Sequence, residues 1–262
     1  MKPKYIILNL ALALTALATA HTTTIVPGGF DTVFGNGQGN DPFDIYGTGG
    51  SRFQQVYNAS LFTGFTNAES ITSVAFRPKQ NQFGSFIGNS LSISNLSVQL
   101  STTSRNDVIG LSGIFADNIG SNVKTVFTGP LTLTAIGSTS SVSAFDYLIT
   151  FQSPFLYDRS QGNLLLDILI PDNAVVSGDG KIGFRQIDTI TDGFPSADGM
   201  STARGATGSA TIGSNSTLAV ISRFTSTPVT SSVPDSGSIL LLLAPVLALM
   251  PFMRQRMLHA AA

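Results

Sequence analysis

The sequence predicts an all-β protein: an antiparallel β-sandwich of jelly-roll type, flanked by an N-terminal signal helix and a short C-terminal transmembrane helix. Three observations carry this prediction. Between Thr22 and Ser232 no stretch sustains the apolar period of an amphipathic helix. The same region is filled with short alternating or continuous runs of β-branched and aromatic residues, separated by Gly, Asn, Asp and Pro. A parallel sheet needs crossover helices, and the sequence supplies none, which leaves the antiparallel architectures.

Taken in order, the chain of 262 residues opens with MKPKYIILNLALALTALATA. Lys2 and Lys4 form a positive start, Tyr5 to Leu17 is apolar but for Asn9 and Thr15, and Ala18-Thr19-Ala20 supplies small residues at the cleavage position. That is the pattern of a secretory signal peptide, residues 1–20, which passes the translocon and is cut by signal peptidase after Ala20. The run is too short for a conventional membrane span. The mature chain then begins at His21.

The strands follow from alternation. In Phe53 to Ala59, Phe53, Gln55 and Tyr57 share a face. In Ile71 to Arg77, Val74 and Phe76 fall on one face and Ile71, Ser73 and Ala75 on the other, with Pro78 ending the run. Leu91 and Ile93 alternate in one phase, and Leu96, Val98 and Leu100 in the opposite one. A bulge or break is therefore expected near Ser94-Asn95. Further strands are predicted at Thr125–Leu133, Phe145–Phe151, Asn163–Ile170, Lys181–Ile187 and Leu218–Thr225. Asn163–Ile170 is apolar on both faces except at Asp167, as in a central strand. Leu111–Ile119 reads as a loop or a single helical turn. Phe34–Ser51 reads as a glycine-rich loop, and Thr225–Ser232, rich in Ser and Thr, as a flexible linker. The passenger domain thus spans 21–224 and the linker 225–232.

Composition narrows the chemistry. Only 11% of residues are charged, and there is no cysteine or tryptophan. Without disulfides an exported domain depends on its core, and 18 phenylalanines are the natural filler for it. Setting aside Lys2, Lys4, Arg254, Arg256 and Asp235 leaves ten basic and fourteen acidic residues, a net charge of −4 with no basic block. A nucleic-acid partner requires a cationic face and is not expected. The two histidines, His21 and His259, lie at the mature N-terminus and beyond the apolar C-terminal run. Past its first residue the domain therefore has no histidine for a Ser-His-Asp triad or a zinc site. Gly178-Asp179-Gly180-Lys181-Ile182-Gly183 matches a dinucleotide-loop pattern literally, but it leads into strand-like sequence and reads as a hairpin turn. No cofactor is expected. A structural calcium ion is the one ion the loops offer oxygens to, with Asp172, Asp179, Asp192 and Asp198 as candidate ligands.

The C-terminus is the most informative stretch. Val233-Pro234-Asp235-Ser236-Gly237 makes an exposed polar turn, Ile239–Met253 are 15 residues without a polar side chain, and Arg254 and Arg256 follow. As a helix the run spans roughly 22 Å, and with Ser236, Gly237 and Ser238 about 27 Å, against a hydrocarbon core of about 30 Å. Snorkelling or slight bilayer thinning closes the gap, and the arginines stay on the cytoplasmic side. A plain anchor and a eukaryotic lipid-anchor signal are the alternatives; tails of the second kind normally lack a basic end.

Motif, short apolar helix and terminal arginines in that order resemble the PEP-CTERM sorting signals, and Val233–Gly237 is similar to the VPDSG-CTERM variant at all five positions. The two prolines Pro245 and Pro251 and the extension Met257–Ala262 depart from the pattern. The resemblance covers residues 233–256. It implies a Gram-negative bacterium, transient insertion in the inner membrane and cleavage near the motif by the partner exosortase. Delivery to the cell surface or the exopolysaccharide matrix would follow. More loosely, Arg52–Tyr57, Phe76-Arg77-Pro78 and Gly162–Asp167 have the look of the uncharacterised β-rich passengers that carry such signals.

The function expected is that of an exported, exosortase-processed surface or matrix protein, structural and not an enzyme. Two other classes stay open. A carbohydrate-binding module would show a row of exposed aromatic rings, and a secreted Asp-dependent glycoside hydrolase would show two carboxylates facing across a cleft.

Overall fold

Alternating apolar side chains become strands wherever one face can be buried, and this chain forms many of them. The computed structural model describes residues 21–43, 50–65, 68–79, 89–135, 142–178, 187–191 and 198–229. Fourteen strands lie among these: β1 (Thr22–Val26), β2 (Gly37–Gly39), β3 (Ser51–Tyr57), β4 (Glu69–Phe76), β5 (Asn89–Thr103), β6 (Lys124–Ala135), β7 (Tyr147–Tyr157), β8 (Asn163–Ile170), β9 (Val176–Ser177), β10 (Ile187–Thr191), β11 (Met200–Gly205), β12 (Ser214–Ser216), β13 (Leu218–Val220) and β14 (Ser222–Pro228). The helices among the described residues are 3-10 turns at Ala59–Leu61, Phe115–Asn118 and Arg159–Gln161.

The strands form three sheets: β1-β14-β4-β7, β13-β10-β2, and β12-β11-β3-β8-β5-β6 with β9 also on β5. Every pairing is antiparallel. Side chains from all three sheets meet in one hydrophobic core, among them Val74 and Phe224, Phe53 and Leu166, and Ile187 and Val220. Two smaller clusters lie outside it: Val56, Leu111, Phe115, Leu165 and Ala203 in one, and Ala75, Phe145 and Ile221 in the other.

Several local readings hold. β8 spans Asn163–Ile170 and lies between β3 and β5, as a strand apolar on both faces should. The register of β5 against β6 shifts between Ile93 and Leu96. The extra residues, Ser94 and Asn95, are exposed, so Leu91, Ile93, Leu96 and Val98 all reach the same core. Phenylalanine does fill that core. Phe62 sits at the centre of a ring cluster, 5.1 Å from Tyr157, 5.2 Å from Phe65 and 5.7 Å from Phe224. The Phe62–Tyr157 pair is edge-to-face and the other two are tilted, and aromatic pairs of these kinds each add about 0.5–1.5 kcal/mol beyond their burial.

Other readings are corrected. Ile71 shares the core with Val74 and Phe76, because β4 has a bulge at Thr72 that alternation alone does not reveal. The run Leu218–Thr225 is not one strand: it breaks at Ile221, with β13 in the three-stranded sheet and β14 in the four-stranded one. The glycine-rich loop contains β2. A Cβ on Gly35 would lie 2.2 Å from the Thr189 carbonyl oxygen, so glycine is what lets this segment approach β10. Thr225–Pro228, which composition assigns to the linker, continue β14 and pair with Ser73, Ile71, Ser70 and Glu69 of β4.

The chain divides into two units, Met1–Val229 and Thr230–Ala262. Among the described residues no helix is long and apolar enough to cross a membrane. The predicted signal helix, 1–20, and the apolar segment of the C-terminal signal lie outside the described residues.

Candidate functional site

Among the described residues, ionic and polar side chains gather at several places, three of which bear on function. The first holds a fully buried ion pair. Arg77 and Asp188 have no exposed side-chain surface, and Arg77 Nη2 lies 2.7 Å from Asp188 Oδ2. Arg77 also donates from Nη1 to the Phe30 carbonyl and from Nη2 to the Val33 carbonyl, each at 2.6 Å. The Gly35 N–H donates to Asp188 Oδ1 at 3.0 Å, and Lys79 donates to the carbonyls of Gly35 and Gly37. The Phe34 and Phe145 rings lie 5.3 and 5.1 Å from the guanidinium carbon. Burial pushes the Asp188 carboxyl up from its ordinary range, while Arg77, Lys79 and the Gly35 N–H pull it back. With its donors and acceptors taken up, this cluster ties segment 30–37 to β4 and β10. Its geometry is that of a structural clamp.

The second network stands on the outer face of the largest sheet. Arg52 grips Asp167 with two bonds, Nε to Oδ1 at 3.2 Å and Nη2 to Oδ2 at 2.7 Å, and its guanidinium carbon lies 4.8 Å from the Phe115 ring centroid. Gln54 donates to Asp167 Oδ2 at 2.8 Å and accepts from Asn118 at 2.8 Å. Asn118 in turn accepts from the Ser112 N–H at 2.7 Å. The effect is to pin the loop around the Phe115–Asn118 turn over β3 and β8. The same long loop is held upstream, where the Asn58 side chain donates to Asp107 Oδ1 and accepts from the Asp107 N–H.

Beside that loop lies the third place, an open pocket of about 550 Å³ lined by Ile109, Gly110, Leu111, Ser201, Asn215, Ser216 and Thr217. Asn215 spans its two walls by donating to the Leu111 carbonyl at 2.5 Å. The lining carries hydroxyl and amide groups but no ionisable side chain. The buried Ser201 hydroxyl has no hydrogen-bond partner among the described residues. In size and in its mix of apolar wall and few polar groups it falls within the ordinary range of small-molecule sites.

Of the candidate calcium ligands, Asp172 and Asp198 are described, and Asp179 and Asp192 lie outside the described residues. Asp172 accepts from the N–H groups of Gly50, Gly208 and Ser209 at 3.2, 2.7 and 3.1 Å. Hydrogen bonds from Ser209 and Gly208 hold its carboxyl below the usual range. Such a ring of donors suits an anion, and Asp172 fills it from within the chain. Asp198 accepts from the Met200 N–H at 2.8 Å. Among the described residues no three acidic or histidine side chains come together in a way that could hold a metal ion. The cleavage residues Ala18 and Ala20, the motif Val233, Pro234, Asp235, Ser236 and Gly237, and the basic pair Arg254 and Arg256 all lie outside the described residues.

The sequence assigned no site role to Gln54, Gln55, Arg77, Asp188 or Ser201. Two adjacent glutamines inside the apolar run Phe53–Tyr57 are a legible signal, because an uncharged amide in a strand interior needs a partner. Nothing local marks Ser201. No protein-family signature, curated protein or solved structure matches this chain.

Proposed function

We propose that the protein is exported through the inner membrane, processed by an exosortase at its C-terminal signal, and delivered to the cell surface or extracellular matrix as a structural, non-enzymatic component. The observation that carries this reading is the ordered C-terminus: the motif Val233–Gly237, the apolar run Ile239–Met253, then Arg254 and Arg256. The domain ends close to it. β14 stops at Pro228, so four residues, Val229 to Ser232, separate its last strand from the motif.

The finer architecture we assign to the passenger is a jelly-roll-like sandwich. Support comes from the single core shared by the four-stranded and the largest sheet, and from the link between β6 and β7 at their edges. There Gln152 donates to the Thr128 carbonyl at 2.8 Å and accepts from the Thr128 N–H at 3.2 Å. The structural role is favoured over a sugar-stacking platform and over a hydrolase by where the relevant groups lie. The described phenylalanines and tyrosines are buried or half-buried, which does not favour a sugar-stacking platform. The buried carboxylates of Asp167, Asp188 and Glu69 are held by Arg52, by Arg77 and by the hydroxyls of Thr22 and Ser226. None of these is aimed at the open pocket.

Fractionating the producing cells with and without the exosortase gene tests the sorting reading. The expected result is a C-terminus trimmed near Val233–Gly237 and a surface or matrix location only when the exosortase is present. An intact C-terminus and the same location in both strains overturn it.

A further inference from the structure

The open pocket beside the Phe115–Asn118 loop is not explained by packing or by export. One wall is the turn Ile109-Gly110-Leu111, and the other is built from β11, β12 and the residue after them, Thr217. The first wall is held in place independently of anything the pocket might bind. The Gly110 N–H donates to the Asn106 carbonyl at 3.0 Å, and the Ile109 N–H to Asn106 Oδ1 at 2.8 Å. Gly110 takes a φ of 73°, which lets the turn close over Asn106. Ile109 is nonetheless two-thirds exposed, an apolar residue in the lining of a pocket that also carries hydroxyl and amide groups.

The lining chemistry is selective. It contains no Lys, Arg, Asp or Glu, so neither an anion nor a cation finds a counter-charge there. It does contain Ser201, Asn215, Ser216 and Thr217 on one side and Ile109 and Leu111 on the other. The Ser216 hydroxyl oxygen accepts from the Leu218 N–H at 2.9 Å, which leaves its proton to donate. Ser201 supplies the independent observation. It lines the pocket, is 3% exposed, and its hydroxyl has no partner among the described residues. Buried hydroxyls are normally bonded, and one left without a partner in a pocket wall is the mark of a group that a ligand completes.

From these features we infer that the pocket binds a neutral, polyhydroxylated ring, a sugar unit without carboxylate or phosphate. The ring's hydroxyls bond to Ser201, Asn215, Ser216 and Thr217, and its C–H face rests on Ile109 and Leu111. Recognition is by hydrogen bonds in a hollow, with no aromatic ring in the lining to stack on. The inference goes beyond export and sorting and does not depend on the C-terminal signal.

Saturation-transfer NMR on the full-length protein, held in a detergent without a sugar headgroup, tests this. The neutral probes are D-glucose and a linear glucose tetrasaccharide, which separate a free sugar from a chain segment, and D-glucuronate is the charged control. The expected result is transfer to at least one neutral probe and little to glucuronate. In Ser201→Ala, affinity should fall about three- to tenfold, the worth of one hydrogen bond, while the unfolding midpoint stays level or rises because an unbonded buried hydroxyl has been removed. Ile109→Asp, at an exposed position, should weaken the neutral probes without unfolding the protein. No transfer to either neutral probe, equal transfer to glucuronate, or undiminished binding in both variants overturns the inference.

Discussion

The side-chain amide of Gln55 pairs with both backbone groups of Val220: Nε2 donates to the Val220 carbonyl at 2.8 Å, and Oε1 accepts from the Val220 N–H at 2.8 Å. One side chain thus does the work of a strand rung. It joins β3 of the largest sheet to β13 of the three-stranded sheet, across 165 positions of sequence. Tyr57, two residues on, makes a second link, to β14 of the four-stranded sheet, through a 2.7 Å bond between its hydroxyl and that of Ser222, and burial pushes its phenol well above the ordinary range.

Replacing Gln55 with Leu keeps the volume close and leaves the Val220 N–H and carbonyl buried without that partner. The carbonyl keeps the Ser222 hydroxyl as a donor at 3.0 Å, so the cost falls mainly on the N–H, and Gln55→Leu should lose about 2–3 kcal/mol in urea or guanidinium unfolding. Gln152 makes the same pair of bonds to Thr128, but at the surface, where water replaces it. Gln152→Ala should cost less than about 1.5 kcal/mol. Equal losses at the two sites would contradict the role given to burial.

Arg77 and Asp188 should behave as a unit. Arg77→Met leaves a carboxylate in the interior and should destabilise the domain by about 3–5 kcal/mol. Adding Asp188→Leu removes the stranded charge. The double variant should therefore recover part of that loss, and a double-mutant cycle measures the coupling. A double variant as unstable as the sum of the singles would show that the two groups act separately.

Asp172 predicts a pH dependence. Its folded-state carboxyl is held below the ordinary value by Ser209, Gly208 and Gly50, so the folded form favours the ionised group. Its contribution is fully present above the unfolded value of about 3.9 and is lost as pH falls through the lower folded value. Thermal midpoints of the wild type and Asp172→Asn should differ by a constant amount at neutral pH and converge in strong acid. A gap that persists unchanged to acid pH would mean that the carboxylate charge is not what matters.

The boundary of the domain can be tested by substitution. Ser226 is buried, pairs with Ile71, and its hydroxyl bonds to the Glu69 carboxylate. Exchanging Thr225–Pro228 for a Gly-Ser stretch should lower the unfolding midpoint by several degrees, since a loss of about 1 kcal/mol shifts a domain of this size by about 2–4 °C. Exchanging Thr230–Ser232 should leave it unchanged. The reverse pattern would return residues 225–228 to the linker.

Much of this was legible in the residues themselves. Asn163–Ile170 announces a strand buried on both faces, and the change of phase around Ser94-Asn95 announces a bulge, because alternation along a strand is a local property. The bulge at Thr72 was hidden, since Ser73 and Ala75 continue a plausible alternation with Ile71 on the wrong face. The break at Ile221 was hidden for a different reason. Leu218–Thr225 is continuous strand-forming sequence, and only the competition of two sheets for its halves divides it.

By itself, then, the sequence determined that the chain forms antiparallel strands and that phenylalanine fills their core, and it supplied at both ends the resemblance on which the export and sorting proposal rests. Tertiary structure alone decided which strands meet, that Gln55 faces Val220, that Asp172 meets three backbone N–H groups, and that Ser201 borders a pocket with a buried hydroxyl that has no partner among the described residues. The physical reason is range. Side-chain alternation and turn chemistry are set within a few residues, whereas a buried polar group takes its meaning from a partner more than a hundred residues away, chosen only when the sheets pack.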